Sequence, residues 1–171
     1  ASTNGSVIII PNWGMVDESL LEGLIDHEAM HCRLTDFNEN TTGGALVAAI
    51  ANILEDVWGE REFAKIYPGT RASIKNVLSS MVRTGALQMV PNEAEKPANL
   101  VAMSLLFGLR YKKLNQDILA SAFDAWFAQA VKTLGPVAEQ VWQKAQEVDQ
   151  VNSTRAANAL AAEIVALIQD E

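Results

Sequence analysis

The chain has 171 residues, 49% of them apolar and 20% charged, the composition of one folded domain, alone or with a helical extension. A formal net charge of −8 argues against an electrostatic nucleic-acid surface, which needs clustered Lys and Arg, and no basic amphipathic stretch or long apolar run suits a membrane. The single cysteine, Cys32, excludes an internal disulfide and suits a reducing, cytoplasmic compartment.

In chain order, "TNGSVIIIP" reads as a turn at Asn4-Gly5 and a short strand over 6–10, stopped by Pro11. A first helix is expected over 17–34, capped near Asp17 or Ser19, with Leu20, Leu21, Leu24, Ile25 and Met30 as its apolar positions. The polar, Gly-ended stretch 35–44 is a loop. A second helix is expected over 45–66, with Leu46, Ile50, Ile53, Leu54 and Val57 as its stripe, closed by "YPGT". A third helix over 71–83 and a loop "VPNEAEKPAN" follow. Four further helical segments are expected over 100–111, 115–133, 136–148 and 153–169, with Pro136 in a first helical turn. The expected fold is mainly α, with a minimal N-terminal strand or small sheet. Residues 1–90 form the metal-binding region and 91–171 a helical bundle packed on it.

Both histidines of the chain lie in "DHEAMHCR", in the pattern H-E-x-x-H. On a helix, His27 and His31 share one face, one turn apart, so their imidazoles can hold a single Zn²⁺. Glu28 is then placed to act as general base toward a water on the metal. The bland alternative is a solvated helix carrying two incidental histidines. A catalytic zinc needs a third protein ligand. Another histidine is excluded: Leu34 and Phe37 stand where H-E-x-x-H-x-x-G-x-x-H requires Gly and His.

A carboxylate must therefore complete the site, and "NILEDVWGERE" on the second helix is the best source. Asn52, Asp56 and Glu60 make an i, i+4, i+8 stripe. With Asp56 as ligand, Glu60 can take a histidine N–H, with Asn52 on the same side. Glu55 is the alternative ligand, and the spacing does not separate the two. Asp36 is read as capping its loop, and Asp26 as pointing elsewhere. Tyr67, Tyr111 or Arg33 could donate to an oxyanion, although tyrosines more often only pack. Trp13, Trp58, Trp126 and Trp142 are read as core or interface.

The stretches "NGSVIIIP", "DHEAMHCRLTDF" and "NILEDVWGEREFAKIYPG" resemble the N-terminal region of bacterial, plasmid and phage cobaltochelatase CobT-like proteins that carry a von Willebrand factor A domain. Those proteins share the patterns DGxxIxLP, DHExxHxxxTDF and NxxEDxRxExxxxxxYPG. The resemblance covers about residues 4–83, and Trp58 stands where the family has Arg. It implies a zincin-like domain that works beside a von Willebrand factor A module, with an AAA+ ATPase as a further partner. That module is absent from these residues, which suggests a fragment of a longer protein. Two functions compete: a zinc metallopeptidase acting on a peptide or protein, and a non-catalytic, metal-stabilised assembly module. Metal insertion into a tetrapyrrole rests on the family name alone.

Overall fold

A computed structural model describes residues 1–10 and 18–169. The chain is mainly helical, with one two-stranded antiparallel sheet among the described residues. It divides into two compact units: Ala1–Asn38 with Gly59–Leu87, and Glu39–Trp58 with Gln88–Glu171.

The first unit opens with β1 (Ser2–Thr3) and β2 (Ile8–Ile9), paired Ser2 to Ile9 and Thr3 to Ile8. The turn between them is built by side chains. Asn4 Oδ1 accepts from the backbone N–H groups of Ser6 and Val7, at 3.1 and 3.0 Å, and Gly5 supplies the positive φ of 88°. The strand expected over 6–10 is shorter here and gains a partner in "ST", a dipeptide too short to show alternation. Pro11, Trp13 and Asp17 lie outside the described residues.

Helix α1 (Glu18–Leu34) packs on α3 (Thr70–Arg83). Gly23 permits this approach, because a Cβ there would collide with the backbone oxygen of Ser73. The single Ser73 hydroxyl proton is directed to the Asp26 carboxylate, with Thr70 O as a second, longer acceptor at 3.1 Å. Ile74, Val77 and Leu78 are the buried apolar residues of α3. Helix α2 (Ala45–Ile66) is one continuous helix, and its part from Gly59 onward belongs to this unit. Gly59 faces the fully buried Met30 of α1, and a Cβ there would force the Met30 side chain to shift.

The second unit holds the first part of α2 together with α4 (Pro97–Leu114), α5 (Ala120–Leu134), α6 (Pro136–Ala145) and α7 (Thr154–Gln169). Pro97 opens α4 within its first turn, where its missing N–H costs nothing, so the helix begins earlier than its apolar stripe suggests. Asn115 ends α4 in the left-handed conformation, φ 56°. Gly135 and Pro136 separate α5 from α6. The core is apolar and aromatic: Leu105, Phe107 and Leu109 of α4 and Trp126 of α5 are at most 1% exposed. Gly108 lies against the rings of Phe123 and Trp142, 2.6 Å from a Cβ built there. Trp126 Nε1 donates to Gln88 O at 2.9 Å. Lys144 ties α6 to α7 through Glu163 at 2.6 Å. With Glu147 also beside it, its ammonium pKa is raised.

Candidate metal centre

The site stands on α1 and α2. His27 and His31 lie one helical turn apart on α1, ring centroids 4.8 Å apart and nearly perpendicular. Their Nε2 atoms face each other at 3.2 Å. Two nitrogens bound to one tetrahedral Zn²⁺ at its usual Zn–N length would be roughly 3.3 Å apart, so the pair already has the bite of a zinc site.

The other ring nitrogens are occupied. His27 Nδ1 is 3.2 Å from Glu60 Oε1, and Glu60 is 4% exposed by side chain. His31 Nδ1 is 2.9 Å from Thr35 Oγ1. An ionised carboxylate only accepts, so His27 carries its proton on Nδ1 and turns a lone pair on Nε2 toward His31. When the Thr35 hydroxyl donates, His31 carries its proton on Nε2 and donates it to His27 Nε2; when Thr35 accepts, two Nε2 lone pairs face each other and a cation shared between them satisfies both. Carboxylate and hydroxyl partners of this kind fix the tautomer and orientation of metal-binding histidines.

Asp56 completes the group. It precedes Glu60 by one turn on the unbroken α2 helix and therefore shares its face. His27, His31 and Asp56 each offer one ligand atom, and these atoms lie within 4.8 Å of one another. Asp56 is buried, and its Oδ2 accepts from the Arg110 guanidinium at 3.2 Å. Glu55 does not join this group. One residue earlier on the helix, it is turned roughly 100° away, and its Oε1 accepts from Thr154 Oγ1 at 2.5 Å. Asn52, on the Asp56 stripe, is exposed.

Glu28, between the two histidines, is 6% exposed, and its carboxylate has no hydrogen-bond partner among the described residues. The donor set fits a divalent ion: two imidazoles and one carboxylate, with ligand atoms that lie within 4.8 Å of one another.

Other sequence candidates lie elsewhere. Asp36 Oδ1 accepts from the backbone N–H of Asn38 at 3.0 Å and so shapes its loop. Asp26 is held by Ser73. Tyr67 is 47% exposed, and Tyr111 packs near Phe123. Arg33 is exposed. Sequence reasoning missed Thr35 and Arg110. Thr35 stands four residues beyond His31, so the helix period could have flagged it. Arg110 is a cation ending the apolar run "LVAMSLLFGL", and a buried cation must have a partner.

No family model, curated protein or solved structure matches this chain. The site's own chemistry is thus the ground for any functional reading. Among the described residues, no helix is long and apolar enough to cross a membrane.

Proposed function

We propose that the chain is a zinc-dependent metallopeptidase-like domain, holding Zn²⁺ on His27, His31 and Asp56, with Glu28 as general base. The observation that carries this reading is the Nε2–Nε2 separation of 3.2 Å, with both Nδ1 atoms engaged behind it. A zinc ion supplies Lewis acidity, which acidifies a water and polarises a carbonyl. Glu28 accepts a proton from the attacking water and delivers it to the amine as the C–N bond breaks. Glu60 and Thr35 keep the imidazoles aimed while this happens. The resemblance to CobT-like proteins fits this reading and adds a von Willebrand factor A domain and an AAA+ ATPase as partners, in the cytoplasm.

One observation favours a second reading. Asp56 is buried and already tied to Arg110, a setting that suits a metal held for stability. In that case the metal stabilises an assembly module and no bond is cleaved. His27, with a quarter of its side chain exposed, provides the opening that the peptidase reading needs.

The two are separated by Glu28→Gln. The peptidase reading predicts that wild-type protein with zinc cleaves members of a mixed peptide library. The variant should keep its zinc and lose about 10²–10⁴-fold in rate, the usual contribution of a general base. Wild-type protein that holds zinc and cleaves no peptide contradicts it.

A further inference from the structure

Arg110 lies 54 residues beyond Asp56, on α4, in the half of the chain without a chemical motif of its own. Both partners of the pair are shielded from water, with side chains 8% and 9% exposed. The helix end also grips the arginine. After Asn115 turns left-handed, the backbone N–H of Gln116 donates to Arg110 O at 3.3 Å. The buried Gln116 side chain accepts from the guanidinium at 3.4 Å. Arg110 is therefore fixed at its backbone and at its head group, and one N–H is presented to Asp56 Oδ2 at 3.2 Å.

We infer that Arg110 is a positioning residue for the metal centre, holding the Asp56 carboxylate by one oxygen so that it is presented to the ion in a single orientation. This rests on the metal-site reading given above. A carboxylate has two oxygens and about four lone-pair directions, so pairing with arginine and binding a metal are compatible. A lone Asp on a helix samples several rotamers, and ordering it weakens metal binding. A planar, permanently charged guanidinium removes that freedom, while its charge permits the carboxylate to stay ionised in a buried place. The α4 helix end thus takes part in the site from outside the H-E-x-x-H segment.

The test is Co²⁺ titration of the 171-residue protein and its variants, read by the visible d–d bands and by dissociation constant, with circular dichroism as the check of folding. Arg110→Met is expected to weaken Co²⁺ binding about 10–100-fold and to change the band envelope, the range found when outer partners of metal ligands are removed. Arg110→Lys, which keeps the charge but not the fork, should lose less. Gln116→Ala, which loosens the arginine without leaving a carboxylate unpaired, should weaken binding several-fold and keeps the test alive if Arg110→Met does not fold. Wild-type affinity and spectrum in folded Arg110→Met, or in Gln116→Ala where the former is unfolded, overturn the assignment of Arg110 alone. Failure of the wild-type protein itself to bind Co²⁺ overturns the metal-site reading beneath it.

Discussion

Thr35 illustrates how little is needed to aim an imidazole. Its hydroxyl sits 2.9 Å from His31 Nδ1, one turn further along α1, at the point where the helix is ending and Thr35 N still donates to His31 O. Thr35→Val keeps the shape and removes the hydroxyl. It should weaken zinc binding about 10-fold or more, measured by competition with a chromophoric chelator, while Thr35→Ser retains affinity. Unchanged binding in Thr35→Val would show that the ring is aimed by packing alone. At this scale the sequence reveals what is local. His27, Glu28 and His31 are visible because the helix period puts them together without knowledge of the fold. Glu60 is reachable by the same period, once α2 is taken as the partner helix. Choosing between Glu55 and Asp56 is not possible from spacing, since adjacent residues differ only in which side of α2 they face. That depends on Thr154 and Arg110, distant partners that no local pattern names.

Helices in this chain are spaced by glycines as much as by apolar stripes. Gly23 allows α1 to lie against the Ser73 backbone, and Gly59 leaves room for the fully buried Met30. Adding a methyl group at either place forces a shift in well-packed surroundings. Gly23→Ala and Gly59→Ala should each destabilise the fold by about 1–3 kcal/mol in denaturant unfolding, offset in part by the better helix propensity of alanine. Gly59→Ala should also weaken metal binding, because the residue lies one position before Glu60. Equal stability in both variants would mean that the helices are not in close contact at these points. Most helices were readable from apolar periodicity, since every one has a buried face. Their edges were less so. The start of α4 at Pro97 follows from a proline that serves as a first-turn residue, and β1 exists only because β2 and the Asn4 turn pair with it.

Over the whole chain, the two compact units are discontinuous in sequence, and α2 contributes to both. The loop "VPNEAEKPAN" marks a boundary near residue 90 in the sequence, whereas the share of α2 in each unit has no local signal. A metal on His27, His31 and Asp56 would stabilise the folded state by mass action. At a free zinc concentration about 100 times the dissociation constant the gain is about 2.7 kcal/mol. The midpoint of thermal unfolding should rise with added zinc in the wild type and stay fixed in His31→Ala. A rise of the same size in both would place the ion elsewhere. The most direct measurement is metal content of the purified protein by elemental mass spectrometry, after reconstitution with zinc at neutral pH and removal of excess. Wild type and Glu28→Gln should each retain about one zinc per chain, and His27→Ala, His31→Ala and Asp56→Ala should retain little, as expected when one of three ligands is removed. A wild-type protein that retains none would contradict the metal centre.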